Sequence, residues 1–350
     1  KFEILQPLAI VSQSASSLIH ELQKERGKTV GMITSSYDEK NVTAVQEQRV
    51  LTDDVMTSFI KILDDNRAKI DEKRIEKIFQ NIKNDLLTLK AHRTKIDAQA
   101  VEVPENVKFY TDIIQHMITL ISNVIEASPS EELTHVLLPY LSLIQAKEAS
   151  GLERAIGSAL FNKMAANEFS LKQYLLYYSK LSEEKAFLSS FRSFASSEFI
   201  ERFDTTVKGS DVDQVTAWRA VLADMPNSKD GKGIDGNNWF DTATKRINLI
   251  YAVEQSIGAE AVELSFELHE KIQSEKYSLI ALNIAILVLA AVIAIVVAKR
   301  ISKGLATITE DISTLGEGRH NFEVRMQDRK DEFGDIARVL EIFRRNAQEK

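Results

Sequence analysis

The sequence contains no cysteine among its 350 residues, so disulfides, thiolate metal sites and cysteine nucleophiles are excluded. Its six histidines lack the HxxxH or HExxH spacing of a metal-binding helix. No nucleophile motif is present, and the GKGIDG segment has neither a preceding strand nor the following Ser or Thr of a phosphate-binding loop. We therefore predict no catalytic residue, no metal site and no cofactor, and we expect this chain not to be an enzyme.

Proline and glycine are also scarce, with 5 and 13 residues, and the period-two alternation of β-strands is missing. Apolar residues instead recur every three or four positions, which is typical of long helices. The net charge is -7, and the excess of acidic residues lies in the region that precedes residue 279. An acidic surface argues against nucleic acid as a partner, and an anionic ligand would bind only where arginines converge.

One long apolar run, Leu279 to Ala298, has Asn283 as its single polar side chain. About 20 such residues in a helix span the core of a bilayer, whereas a buried helix of a soluble protein, the alternative, seldom runs so long without charge. Lysine and arginine follow the run directly, so the positive-inside rule places the later segment in the cytoplasm. We predict a bacterial inner-membrane protein with an extracytoplasmic, periplasmic sensor domain, led outside by a signal anchor or first transmembrane helix before Lys1.

Helical periodicity predicts eight helices in the region that leads into the apolar run. The predicted elements are Ile4–Ser35, Thr43–Asn66, Asp71–Ala98, a helix from Pro104, Ser130–Lys163, Ser170–Ala195, a helix around Trp218, and a last helix from Trp239 into the apolar run. Pro226 is expected to break the chain. Long helices joined by short turns predict an all-α fold, a pair of stacked four-helix bundles. The expected domains are 1–275 (sensor), 279–298 (transmembrane helix) and 299–350.

Arginines stand on two of the predicted apolar stripes. Arg26 continues the stripe of Ile19 and Leu22, and Arg246 continues the stripe of Trp239 and Ala243. A charge on a buried stripe needs either a ligand or a permanent carboxylate partner, and both alternatives remain open. The candidate carboxylates are Glu25, Glu148 and Glu153. Arg49 is expected to pair with Asp53 one helical turn later.

Two segments echo each other. Glu25 and Arg26 in the first helix match Glu153 and Arg154 in the fifth, and a glycine follows each pair. The echo is a weak indication of an internal duplication.

The segment after the apolar run repeats one helical pattern twice. Its apolar seam consists of Leu305, Ile308, Ile312 and Leu315, then Phe333, Ile336, Leu340 and Phe343. Two short heptad helices need a second chain to bury both seams, which predicts a homodimer. The segment resembles a HAMP domain, with Gly316 in the connector and Asp331, Glu332 and Gly334 opening the second helix. The proline usual early in the first helix is absent, and Lys303 and Gly304 stand there.

Four stretches resemble the signatures of the nitrate- and nitrite-sensing (NIT) domain. They are HELQKERGKTVGMI from His20, QRVLTDD from Gln48, KEASGLERAIGSALF from Lys147 and WFDTATKRINLI from Trp239. The resemblance implies two four-helix bundles that hold nitrate or nitrite between arginines. Carried over by position, these are Arg26, Arg154 and Arg246, with Arg219 as a rival for the third. Guanidinium suits this ligand, because its paired N–H groups match two oxygens of a planar anion.

We therefore predict a transmembrane signal receptor that senses nitrate or nitrite and relays a small helix displacement to HAMP and to a cytoplasmic output module outside this sequence. Gly258 and Gly304 are the expected joints. A chemoreceptor that contacts cytoplasmic signalling proteins is favoured over a histidine kinase or a cyclic-dinucleotide enzyme. The alternatives are a receptor for another small anion, such as a carboxylate, and a protein-interaction module without a small ligand.

Overall fold

The computed structural model describes residues 4–67, 69–70 and 73–349. These residues form ten helices and no β-strand, which confirms the predicted all-α fold. The helices are α1 (Leu5–Thr34), α2 (Glu39–Arg67), α3 (Lys73–Asp97), α4 (Val103–Ala127), α5 (Glu131–Ala165), α6 (Leu171–Phe194), α7 (Ser197–Thr206), α8 (Ser210–Ser228), α9 (Gly236–Gly316) and α10 (Glu332–Gln348). Asp71, where the third helix was expected to begin, lies outside the described residues.

Serine side chains begin three of these helices. Ser130, Ser170 and Ser196 each accept a hydrogen bond from the backbone N–H three residues later, which satisfies a free donor in the first turn. The prediction that Pro226 breaks the chain is wrong, because it lies in the last turn of α8. A proline there removes one backbone hydrogen bond close to a helix end that the buried Met225 fixes in the core.

The short helix α7 was not predicted. It spans ten residues between Ser196 and Val207, and two of its side chains, Phe199 and Phe203, are buried. Phe203 packs against Phe191 near the end of α6, with ring centroids 5.4 Å apart. A short helix therefore links α6 to α8 in a stretch for which the sequence predicted no element.

Three apolar clusters form the core of the first part of the chain. A central cluster joins the seven helices from α1 through α7 with the first half of α9, through residues such as Leu18, Tyr140 and Ile250. A second cluster joins the end of α5 and the first half of α6 to α8 and to the start of α9 around Trp239. A third joins the end of α1 to α2 and α3 around Met32. Helices α1–α4 pack on one another, and α6 packs on α5 and α8. The second cluster adds the start of α9 to this second set, while the central cluster joins the two sets.

The chain divides into two compact units, Lys1–Ile272 and Gln273–Lys350, and the division falls within α9. In the second unit, Ile308 of α9 packs with Ala337 and Leu340 of α10 and with Val324 of the connector. Gly304 lies against the ring of Phe333, and a methyl group added there would stand 3.1 Å from it. Close packing is therefore one physical reason for a glycine at this position.

Helix α9 contains the predicted span, Leu279 to Ala298. Within the described ranges it is the one helix that is long and apolar enough to cross a membrane, by length and composition. None of its most apolar window is buried inside the protein. Gly258 does not interrupt the helix, and it packs against Tyr140, whose hydroxyl would stand 3.0 Å from an added methyl group.

Candidate anion-binding site

Charged side chains are buried along α1, α5, α6 and α9, on stretches that separate the apolar clusters. We call this set the buried charged layer. Its members, each less than a tenth exposed, are Glu25, Arg26, Lys147, Glu148, Glu153, Arg154, Glu184, Arg246 and Glu254. Charges at such depth are stable only where an opposite charge or several hydrogen bonds compensate for the lost water.

Arg26 is compensated by Glu148. Its Nη1 and Nη2 atoms donate to the two carboxylate oxygens at 2.6 and 3.0 Å, a bidentate arrangement. Nη1 also donates to the hydroxyl of Thr111 at 2.7 Å, and Gln23 donates to Glu148 at 2.8 Å. The permanent ion pair considered as an alternative for Arg26 is therefore present, with Glu148 as the partner.

Arg154 is buried to the same degree but forms no ion pair in the part of the chain that the structure describes. Its Nη1 atom donates to the hydroxyl of Thr244 at 2.7 Å, and its guanidinium carbon lies 4.2 Å from the ring centroid of Phe240. Its Nε atom is buried without a hydrogen-bond partner. Burial and the neighbouring Arg26 lower the pKa of Arg154 to about 10, so the group stays charged at neutral pH. Glu148 and Asp241 act in the opposite sense and favour the charge, but neither forms an ion pair with Arg154. A buried cation without an ion pair is a candidate position for a bound anion.

Two glycines make room for the two guanidinium groups. A methyl group added at Gly27 would stand 3.1 Å from Nη2 of Arg154, and one added at Gly151 would stand 3.5 Å from Nη2 of Arg26. Each arginine thus lies against a glycine of the opposite helix, α1 or α5. This reciprocal contact places the positive charges of Arg26 and Arg154 next to each other, as the pKa of Arg154 also indicates.

Arg246 and its rival Arg219 bind the same carboxylate. Nη2 of Arg246 donates to Glu184 at 2.5 Å, and Nη2 of Arg219 donates to both Glu184 and Glu153. Burial disfavours the charge on Glu184, but Arg246 and Arg219 outweigh it and hold the pKa of Glu184 below its usual range. Burial raises the pKa of Glu153. Both candidate arginines are therefore compensated, unlike Arg154.

The echo between α1 and α5 extends to the surroundings of the two glutamates. Glu25 accepts hydrogen bonds from Tyr110 and from Arg93, both at 2.7 Å on the same oxygen. Glu153 likewise accepts from a tyrosine and an arginine. These donors are the hydroxyl of Tyr177 at 3.2 Å and Nε of Arg219 at 2.9 Å. The two glutamates thus accept from the same kinds of donor, although the tyrosines come from α4 and α6, which do not correspond in helix order.

The two halves differ at one position, which leaves Arg154 without a carboxylate. Glu148 stands six residues before Arg154, and the residue six positions before Arg26 is His20. The His20 ring stacks on Tyr251 with centroids 3.6 Å apart. Burial, followed by the charges of Lys147, Lys24 and Arg154, lowers the pKa of His20 to about 2, so it is neutral. The position of α1 that corresponds to Glu148 therefore supplies no negative charge to Arg154.

A further buried pair ties α9 to α5. Nζ of Lys147 donates to Glu254 at 2.9 Å, and both side chains are fully buried. The hydroxyl of Ser16 on α1 donates to the same carboxylate oxygen. Burial lowers the pKa of Lys147 and raises that of Glu254. Lys147 and Glu254 therefore compensate each other, and neither is available to bind a charged ligand.

Sequence patterns did not identify the uncharged neighbours of the arginines. Thr111, Thr244 and Phe240 contact a guanidinium, but threonine and phenylalanine in a helix carry no periodic signal for such a role. The predicted pair of Arg49 with Asp53 is wrong. Nη1 of Arg49 donates to Asp97 at 2.9 Å, and Asp53 instead accepts a hydrogen bond from Nη1 of Arg93 on α3 at 2.6 Å. A contact across helices has replaced the local pair.

A cavity of about 140 Å³ lies between α4, α5 and α6. Its lining includes Thr111 and Glu148, the two partners of Arg26, and Lys180 and Glu183 of α6. The surroundings of Arg26 are thus connected to a space that a small ion can enter.

Comparison with known proteins relates most of this chain to one sensor family. A family model described as nitrate and nitrite sensing matches residues 17–262, a range that includes Arg26, Arg154 and Arg246. A solved structure, that of the NasR transcription antiterminator, is similar to this chain with a TM-score of 0.67 and 20% sequence identity. The similarity covers 77% of this chain and 71% of that one, and at this identity it shows the fold alone. Among curated proteins no match was found.

Proposed function

The chain belongs to the nitrate and nitrite sensing (NIT) family, and we propose that it binds nitrate or nitrite at Arg154, beside Arg26. The observation that carries this proposal is the uncompensated charge of Arg154. Among the four cations of the buried charged layer, Arg26, Lys147 and Arg246 each have a carboxylate, and Arg154 has none in the described part of the chain. An anion at this position would give Arg154 the negative partner that the other three cations already have.

The free edge of Arg154 suits a planar oxyanion. Nη1 is bound to Thr244 and one face lies on Phe240, so Nε and Nη2 form the edge that remains. These two N–H groups lie side by side and match two oxygens of nitrate or nitrite. One charge pair at about 4 Å is worth roughly 1 kcal/mol in water and roughly 4 kcal/mol at an effective dielectric constant near 20. Burial therefore makes a single arginine effective.

Arg26 and Arg246 complete the proposed set of three arginines. Arg26 adds positive potential next to Arg154 while Glu148 and Thr111 hold its guanidinium in place. Arg246 is bound to Glu184, so a direct contact with the anion requires that pair to open. Arg219, which shares Glu184, would then retain the carboxylate. We therefore assign Arg246 a smaller contribution to affinity than Arg154.

The cavity between α4, α5 and α6 is the proposed approach for the ligand. It reaches Thr111 and Glu148, and Lys180 lies at its edge. The small volume, about 140 Å³, favours an ion of a few atoms over a larger carboxylate.

The proposed setting is a bacterial inner membrane. The apolar part of α9 is the candidate transmembrane helix, and the lysines and arginine after it support a cytoplasmic position for residues 299–350 by the positive-inside rule. The sensor, residues 1–275, then lies outside the membrane, and the HAMP-like segment 299–350 inside. Signal transfer runs along α9, the helix that carries Arg246 and also contains the span. A chemoreceptor remains the favoured output over a kinase or cyclic-dinucleotide enzyme.

The HAMP-like segment also supports a homodimer. Of its predicted seam, Ile308 and Leu340 are buried within the chain, whereas Leu305, Ile312, Ile336 and Phe343 are exposed. An exposed apolar seam on two heptad helices is what a second copy would cover.

Calorimetric titration of the full chain in detergent micelles tests the ligand. We expect saturable binding of nitrate or nitrite and none of a larger carboxylate such as succinate. Binding of a carboxylate, without binding of nitrate or nitrite, would mean that the chain is a receptor for a different small anion. Absence of heat with every anion, together with full receptor function of Arg154→Ala, would favour a protein-interaction module.

A further inference from the structure

Helix α9 holds both the backbone and the side chain of Arg154. The indole nitrogen of Trp239 donates to the carbonyl oxygen of Arg154 at 2.9 Å. The ring of Phe240 lies over the guanidinium, and the hydroxyl oxygen of Thr244 accepts a hydrogen bond from Nη1. Phe240 and Thr244 stand four residues apart, so they occupy the same face of α9. The surroundings of the arginine on α5 are thus built from α9.

The proton of the Thr244 hydroxyl determines its role. That proton is donated to the carbonyl oxygen of Phe240 at 2.7 Å, so toward Arg154 the oxygen acts only as an acceptor. Thr244 therefore fixes Nη1 and has no second proton to offer an anion. Nε is buried without a hydrogen-bond partner and Nη2 lies against Gly27, so the edge formed by these two atoms is left free.

We propose that Thr244 and Phe240 are positioning residues of the anion site, so that anion binding is linked to the docking of α9 on α5. This inference rests on the proposed function. A guanidinium on four rotatable bonds loses conformational entropy when it binds an anion, and a residue that fixes it beforehand reduces that loss. By linkage, a ligand that binds only the fixed arginine stabilises the contact of α9 with α5.

The docking of α9 does not depend on Thr244 alone. The Trp239 indole fills the space at Gly157, where an added methyl group would stand 2.6 Å from it. The hydroxyl of Ser158 donates to the carbonyl oxygen of Gly236 at 2.8 Å. Replacing Thr244 should therefore leave α9 folded and packed on α5 while it frees the guanidinium.

The test is a nitrate titration of four full-length chains in detergent micelles: wild type, Thr244→Val, Thr244→Ser and Thr216→Val. Valine keeps the shape of threonine but accepts no hydrogen bond, and we expect it to weaken nitrate binding about tenfold, the scale of one hydrogen bond to a charged group. Serine keeps the acceptor and should bind within about twofold of wild type. Thr216 of α8 bonds only to its own helix, so Thr216→Val is the matched control.

Amide hydrogen exchange of residues 240–247 gives a second readout. Saturating nitrate should slow exchange there in wild type and in Thr244→Ser, and should do so less in Thr244→Val. Phe240→Leu, which removes the ring from the guanidinium, should weaken binding about threefold or more. Unchanged or tighter nitrate binding in both Thr244→Val and Phe240→Leu would overturn the inference. Failure of wild type to bind nitrate would instead overturn the proposed function.

Discussion

Gly27 of α1 leaves the space that the guanidinium of Arg154 occupies on α5, since a methyl group there would stand 3.1 Å from Nη2. The same methyl group would stand 3.4 Å from the ring of Phe240. The absent side chain is therefore part of the candidate site, because it keeps the free edge of the arginine open.

Gly27→Ala should weaken nitrate binding about tenfold or more, because the methyl group displaces Nη2 from the edge that would receive the anion. Gly31→Ala is the matched control, since the nearest atom to an added methyl group there is 3.6 Å away. Alanine in place of a helical glycine stabilises by about 0.5–1 kcal/mol, so the control should unfold at a slightly higher temperature. Equal nitrate affinity in both variants would contradict this role of Gly27.

Arg154→Met and Arg26→Met should change stability in opposite directions. Removing Arg154 eliminates a buried charge without a partner, and we expect a gain of about 1–3 kcal/mol in the absence of nitrate. Removing Arg26 leaves Glu148 buried without its cation, which should cost about 3–5 kcal/mol. Both variants should lose nitrate binding.

Thermal unfolding of the two variants measures this difference. Arg192→Met is the control, because Arg192 forms an exposed pair with Asp204 and its loss should be near neutral. A lower unfolding temperature for Arg154→Met than for the control would mean that Arg154 is compensated after all.

His20 should make the sensor less stable in acid. Its pKa is about 2 in the folded chain and 6.5 as the ordinary value, so between these pH values only the unfolded chain binds the proton. Stability should therefore fall by about 1.4 kcal/mol per pH unit as the pH drops below about 6. His20→Phe preserves the stack on Tyr251 and removes this proton.

The measurement for His20 is the unfolding temperature of both chains from pH 7 to pH 5. The advantage of His20→Phe over wild type should grow as the pH falls. Parallel curves would show that His20 takes up a proton in the folded chain.

The exposed seam of the HAMP-like segment predicts cross-linking between two copies. The chain has no cysteine, so Ile312→Cys introduces a single thiol at a seam position that is 51% exposed. In membranes treated with a mild oxidant we expect a disulfide-linked dimer. Ser313→Cys, one residue off the seam, should cross-link much less, and equal yields would argue against a specific homodimer.

Helix positions followed from the sequence because apolar periodicity is a local property. The stripe Ile19, Leu22 and Arg26 correctly placed Arg26 in the interior. Its partner Glu148 is more than a hundred residues away, and which of several glutamates it meets depends on how α1 and α5 cross.

The missing carboxylate at Arg154 was not predictable for the same reason. It depends on His20 standing where the other half has Glu148, a relation visible only once the two helices are side by side. The contacts of Thr244 and Phe240 with the Arg154 guanidinium could likewise not be predicted from their residue types. The assignment of Arg26, Arg154 and Arg246 to ligand binding stays a prediction.

The most direct test is a structure of the full chain with nitrate bound, determined at a resolution that shows a four-atom anion. The account predicts planar density within hydrogen-bond distance of Nε and Nη2 of Arg154, with Thr244 still bound to Nη1. Nitrate bound elsewhere, with the edge of Arg154 facing Gly27 unoccupied, would contradict it.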